Sequence, residues 1–378
     1  MKSQPCRPLI EVVAQIPDSR QARGKRHPLS ALLCLVCAAT LCGCRGCNAM
    51  AEWGRNHGTE SVTALGFTHG APCAATLHRV LRALDRARVE AVLGTWAEGV
   101  LAARPRRRGQ PEGLSADGKA LRGSREQGAP GTHLLSVLSQ RLGLTLAQVA
   151  VDDKANEIGA IAAVLRGLLS VGRVVTVDAL LTQRTVAQAI IAAQGDDVML
   201  AQDNQPRLRA DIRAILATPA HLAAPLRSKR AHDSGHGRLE QRHLTVRALL
   251  PGDCDWPGAR QAFRIERRRI CRKTGALETE VTEGVTSLSA QSADPQRLLD
   301  LLRAHWHIEN KSHYVRDVTF DEDRSTVRAG ALPQVLAACR NLAIGLLRCA
   351  GEPNIAAATR RCAAQPWWAL ALLGLQRQ

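Results

Sequence analysis

Three carboxylates stand out by residue type and setting: Asp117, Asp178 and Glu309. Asp117 sits in S-A-D-G-K after a short apolar stretch. Asp178 directly follows the wholly apolar Val174–Val177, so both read as residues at or near strand ends. Glu309 falls in R-A-H-W-H-I-E-N-K-S-H-Y-V-R-D (303–317). On a helix, Leu302, His305, Glu309, His313 and Arg316 recur at steps of three or four and share one face. Burying such a cluster is costly without a metal, a phosphate or further carboxylates, and a solvated, salt-bridged face is the plain alternative. Hard cations such as Mg²⁺ bind through a few carboxylates and complete their shell with phosphate oxygens. Two such ions support in-line attack on a phosphodiester. Taken singly, each strand-end aspartate fits a cap or turn just as well. Asp152, Asp153, Asp317 and the Asp321-Glu322-Asp323 run are rivals, and the last fits a capped turn paired with Arg324 and Arg328.

The chain that must position these groups has 378 residues, room for two or three domains, and 45% hydrophobic residues, enough for real cores. Its net charge of +17 points to a polyanionic partner, because a cation that neutralises a phosphate releases a counterion. A membrane surface or ribosome would satisfy the same charge. No stretch is long and apolar enough to span a bilayer, and the short run Leu29–Cys42 does not begin the chain as a secretion signal would. The twelve cysteines form no secreted disulfide framework in a chain of this length, so the expected location is the cytoplasm. Cys34 and Cys37 lie in an apolar helical run and read as small hydrophobes, not zinc ligands, while Cys42, Cys44 and Cys47 around Gly43 and Gly46 leave metal binding open.

Residues 1–105 read as an N-terminal helical domain. A buried helix is expected over Ala31–Thr40, and a basic one over Leu77–Leu84 carries His78, Arg79 and Arg82, which suit DNA contact and an ordinary solvated face equally. The Pro/Gly-rich, basic 102–113 stretch marks a linker. Beyond it, strands are expected at His133–Gln140, Leu144–Asp152, Val174–Val177 and Val198–Ala201. Helices are expected at Asn156–Leu169, Gln183–Ala193 and Arg207–Leu216. Strands followed by helix–strand alternation describe a mixed sheet covered by helices, whose ligands gather at strand C-terminal ends. Residues 218–290 interrupt this pattern with strands at Arg238–Leu250, Phe263–Arg272 and Thr279–Leu288. Their dense cations, Arg264, Arg267, Arg268, Arg269 and Arg272, suit phosphate backbone contact.

Several motifs in order resemble those of DDE-type insertion-sequence transposases of the H-repeat-associated group. They are A-P-C-A-A-T-L-H-R-V-L-R-A-L-D (71–85), S-A-D-G-K-A-L-R-G (115–123), N-E-I (156–158), T-V-D-A-L-L-T-Q (176–183), D-N-Q (203–205), H-G-R-L-E-Q-R (236–242) and R-A-H-W-H-I-E-N through F-D-E-D (303–323). The resemblance implies an α/β fold: an RNase H-like mixed sheet with flanking helices and a β-strand insertion, preceded by an α-helical N-terminal domain. It places the catalytic domain at 106–350, with the insertion at about 218–290 and a C-terminal tail at 351–378. It implies Mg²⁺-dependent (or Mn²⁺-dependent) strand cleavage and transfer at transposon ends, with Asp117, Asp178 and Glu309 as the metal-binding catalytic triad. Related transposases carry a Tyr-x2-Arg-x3-Glu-x6-Lys signature, and the matching positions here are Leu302, His305, Glu309 and Arg316. Gln202 stands where the family usually has Lys. By this likeness Lys119, Arg122, Arg238, Arg242, His305 and Arg316 contact DNA. The partners are double-stranded terminal inverted repeats and target DNA, bound by a homo-oligomer in the cytoplasm at the nucleoid. A catalytically decayed DNA-binding relic and a stand-alone metal-dependent nuclease are the other functions such a chain could have.

Overall fold

The computed structural model describes residues 8–22, 25–105, 110–125, 131–151, 157–235 and 237–376. Asp152, Asp153, Asn156, His236 and the middle of the expected linker lie outside them. In chain order, six helices come first: α1 (Leu9–Val13), α2 (Leu29–Leu41), α3 (Cys47–Asn56), α4 (Gly58–Ala64), α5 (Ala74–Arg82) and α6 (Arg86–Ala103). Strands β1 (Glu112–Ala120), β2 (His133–Ser139) and β3 (Thr145–Val151) follow. Helix α7 (Glu157–Leu168), β4 (Arg173–Val177), α8 (Arg184–Ala192), β5 (Asp196–Ala201) and α9 (Pro206–Ala217) then alternate. Four long strands come next: β6 (Arg227–Gly235), β7 (Arg238–Ala248), β8 (Gln261–Cys271) and β9 (Leu277–Thr286). The chain closes with α10 (Pro295–His305), α11 (Tyr314–Val318), α12 (Leu332–Cys349), α13 (Ile355–Ala364) and α14 (Pro366–Leu372).

These elements form two compact units interleaved along the chain. One comprises Met1–Arg108, Gly118–Lys154 and His307–Gln378, and the other Gly109–Asp117 and Ala155–Trp306. Strand β1 contributes to both.

In the first unit the strand order is β3-β2-β1, with β2 and β3 antiparallel. Helix α2 is apolar all round and accordingly buried all round, and it packs against α12. Helices α6 and α12 lie on β3. The capping carboxylate of Asp85 accepts from the backbone N–H of Arg88 and fixes the start of α6. Cys34 and Cys37 are buried core residues, in keeping with the hydrophobe reading. The Cys37 thiol is pushed well up by its bond to Cys339 and by burial.

In the second unit the order is β1-β4-β5-β9-β8-β7-β6. β1, β4 and β5 run parallel, and β9 joins β5 antiparallel, so the four-stranded ribbon extends the same sheet. Val174, Val175 and Val177 of β4 are fully buried, as a central parallel strand requires. Helix α10 packs Leu298, Leu299, Leu301 and Leu302 onto Leu244, Val246 and Phe263. Gly284 sits where β9 bridges β5 and β8, and a Cβ there would lie 2.3 Å from the Met199 carbonyl oxygen and 2.4 Å from the Phe263 ring. On the other side of the ribbon, the buried Arg247 donates to the carbonyls of Ile215 and Thr218 at 2.6 Å each, tying down the end of α9. The meander followed by helix-linked parallel strands is the RNase H-like mixed α/β arrangement, with a helical region before it and a β insertion within it.

Two expectations need correction. The insertion holds four strands instead of three: β6 (R-S-K-R-A-H-D-S-G) is a polar edge strand with no apolar alternation to reveal it. The 303–324 stretch is not one helix. α10 stops at His305, Glu309–His313 form a single π turn, and Asp321 takes a left-handed conformation with φ 54°.

Candidate active site

Within the second unit, β1 and β4 pair in parallel with Ala116 opposite Val177, so Asp117 and Asp178 are the next positions on neighbouring strands. Both side chains are half-buried. Asp178 Oδ1 accepts from the backbone N–H of Leu181 at 3.0 Å, and the Thr182 hydroxyl donates to the Asp178 carbonyl at 2.8 Å. The turn-capping role open to a strand-end aspartate is therefore real here, and it also fixes the carboxylate's orientation. β1 continues past Asp117 to Ala120, although its pairing with β4 stops one residue earlier.

His305 ends α10 against this strand pair. The Thr176 hydroxyl donates to the Leu114 carbonyl at 3.1 Å and so accepts from His305 Nδ1 at 2.8 Å, which selects the Nδ1–H tautomer. Burial pushes the imidazole's pKa down, against the pull of Asp178. His305, expected to contact DNA, is thus held as a neutral bridge from helix to strand.

In the first unit, Glu309 opens the π turn with its side chain 53% exposed, while His313 and Arg316 are buried. The residues read as one helical face therefore occupy different environments, because the widened turn rotates everything after Glu309. His313 Nδ1 stands 3.3 Å from Glu309 Oε2 and holds that carboxyl below its usual range, so Glu309 is ionised. Burial pushes the His313 pKa down. Ser312, on the same turn, makes a long 3.5 Å bond to Asn341 Oδ1.

Lys119 reaches Asp317 at 2.7 Å and Asp323 at 3.8 Å, and Arg122 approaches Asp323 at 3.5 Å while remaining mostly exposed. Arg316 is fully buried. Its guanidinium bonds Glu322 at 2.6 and 2.8 Å, and Glu322 also accepts from Arg340 at 2.8 Å. Arg316, expected to contact DNA, lies in an internal ion pair with no part of its side chain reaching solvent. Asp321 pairs with Arg45 at 2.6 Å and with Arg324 at 3.8 Å, as a paired turn would. The buried Glu322 centre escaped the sequence because a D-E-D run reads as surface. Of the two expected ribbon contacts, Arg238 is exposed beside the β6–β7 turn, whereas Arg242 is drawn in by Asp233 and Glu240.

Comparison with known proteins identifies the family. The family described as Transposase DDE domain matches residues 107–344, and the description DDE_Tnp_1-associated matches residues 10–97. The chain belongs to the DDE transposase domain family. It is 34% identical over 287 residues to "Uncharacterized protein in dhlA 3'region" of Xanthobacter autotrophicus, covering 74% of this chain and 93% of that one. It is 28% identical to "Putative transposase YncI" of Escherichia coli O157:H7, covering 90% and 87% of the two chains. To "H repeat-associated putative transposase YhhI" of Escherichia coli K12 it is also 28% identical, covering 90% of each. Among solved structures, the cryo-EM piggyBac transposase synaptic complex with hairpin DNA aligns with 96% of this chain and 76% of that one, at 9% identity and a TM-score of 0.43. No helix among the described residues is long and apolar enough to cross a membrane.

Proposed function

We propose that this protein is an active DDE transposase, which binds the terminal inverted repeats of a mobile element and carries out metal-dependent strand cleavage and strand transfer in the cytoplasm. The observation that supports this most is the register of β1 and β4, which sets Asp117 and Asp178 side by side at neighbouring parallel strands in a chain of this family. With Glu309, as the family resemblance implies, they would offer an all-oxygen donor set of the kind Mg²⁺ or Mn²⁺ takes. Such ions, when bound, lower the pKa of the attacking water or 3′-hydroxyl and stabilise the leaving oxygen.

The chain's own residues do the rest. His313 keeps Glu309 ionised, and the Leu181 N–H and the His305–Thr176 bridge hold the Asp178 end of β4. Lys119 and Arg122, beside Asp317 and Asp323, place positive charge for phosphate oxygens next to Asp117 in the chain. The +17 net charge suits a double-stranded DNA partner, and joining two transposon ends calls for a homo-oligomer. The test is Asp178→Asn with a terminal-repeat duplex and Mg²⁺. Cleavage should fall to background while duplex binding persists. Unchanged cleavage by the variant refutes the site. Cut ends without target-joined products indicate a nuclease, and binding without nicking by the unaltered chain indicates a decayed copy.

A further inference from the structure

Strand parity sorts the basic residues of β6–β9 into two faces of opposite character. Glu240 and Arg242 of β7 share a face with Asp233 of β6, Arg267 and Arg269 of β8, and Glu278 and Glu280 of β9. On that face the central guanidinia Arg242, Arg267 and Arg269 are matched, while Lys229 and Arg238, towards the ends of β6 and β7, are exposed and have no ion pair among the described residues. Arg242 pairs with Asp233 and Glu240, Arg267 with Glu240 and with Glu280 at 3.6 Å, and Arg269 with Glu280 at 3.4 Å. Arg303 of α10 takes the remaining oxygen of Asp233 at 2.9 Å.

The opposite face carries Arg230 and His232 on β6, His243 on β7, and Arg264 and Arg268 on β8. Its carboxylates are few and already engaged. Glu266 is held by Arg268 at 2.5 Å, and Glu283, directly across from Arg264, is buried under Arg209 and Arg213. Among the described residues neither Arg230 nor Arg264 has an ion pair, and both are exposed. Cross-strand neighbours such as Arg230 and His243 lie about 5 Å apart and successive same-face residues about 7 Å apart, so the cations form a grid. A shallow concavity of about 200 Å³ opens between Arg230, His243 and Arg268. No Phe, Tyr or Trp occupies this face to stack on a base.

We propose that this face of the ribbon docks the phosphate backbone of double-stranded DNA, adding affinity without sequence preference. The inference rests on the transposase reading and deepens it, keeping Arg264 among the expected ribbon contacts, adding Arg230, and setting Arg242, Arg267 and Arg269 aside. The grid matches a polyanion in charge, and its lack of base-stacking side chains fits backbone contact alone.

The experiment measures affinity of the full chain for a random-sequence duplex across a salt series in EDTA. Each phosphate contact contributes about 0.9 to the slope of log affinity against log salt. Arg230→Ala/Arg264→Ala should lower that slope by about 1.8, whereas Arg269→Ala on the matched face should leave it unchanged. An unaltered slope in the double variant, or an equal fall with Arg269→Ala, overturns the inference and leaves the transposase reading standing. Failure of the unaltered chain to bind any duplex overturns both.

Discussion

Replacing Glu90 by Gln should stabilise the protein at pH 8 and do little near pH 5. Glu90 lies on α6, and its Oε1 accepts from Gln148 Nε2 at 2.9 Å and from Gln334 Nε2 at 2.7 Å. Burial pushes its carboxyl from 4.5 up to about 7, against the pull of those two amide donors. The folded state therefore binds this proton more tightly than the unfolded chain does. The associated stability is fully present below pH 4.5, falls as the pH rises towards 7, and stays lost above it. Taken at face value the gap between the two pKa values corresponds to roughly 3 kcal/mol. The side chain retains some exposure, so solvent screening reduces this to about 1–2 kcal/mol. Glutamine keeps the accepting oxygen without the charge, so both hydrogen bonds survive. Paired thermal melts at pH 8 and pH 5 read the effect, with Glu90→Gln expected to melt roughly 2–8 °C above the unaltered chain at pH 8. Equal destabilisation at both pH values would refute the argument, because it would mean that geometry, and not charge, governs the site.

Glu322→Gln leaves the buried guanidinia of Arg316 and Arg340 facing an uncharged amide, and a loss of roughly 3–5 kcal/mol in urea unfolding is expected. A variant within about 1 kcal/mol of the original would show that the pair is not desolvated as its burial implies. Gly284→Ala drives a Cβ into the Met199 carbonyl, which as backbone cannot swing aside. It should cost about 2 kcal/mol or more and lower the soluble yield, and an unchanged melting temperature would contradict the β5–β9 register.

Much of the fold was legible because its elements carry strong periodic signals. The wholly apolar Val174–Val177 announces a central strand, the 157–168 helix shows a clean apolar stripe, and an all-apolar run marks α2 as buried. Asp178 was legible because it abuts such a strand. What stayed hidden depends on register and local winding. Strand β6 borrows its order from β7 and needs no apolar face of its own. Arg264 and Arg267 look equivalent in sequence, yet an odd offset puts them on opposite faces, one open and one matched. The spacing from His305 to Arg316 is helical on paper, but a π turn intervenes, and no residue pattern separates its five residues from an ordinary turn.

That turn also ties the N-terminal helices to Glu309. From Glu309 the path runs through Ser312 to Asn341, whose Nδ2 donates to Gln148 Oε1 at 2.8 Å, and from Gln148 to Glu90 on α6. Gln148 and Asn341 are both 7% exposed, and Gln334 4%, so the amide donors of all three depend on these partners. A buried network of this kind is stable only when every member is present. Removing α6 would strip the carboxylate from two buried glutamines and uncover Ala338 and Leu342 beside them. The N-terminal helices are thus structurally part of the framework that holds the π turn.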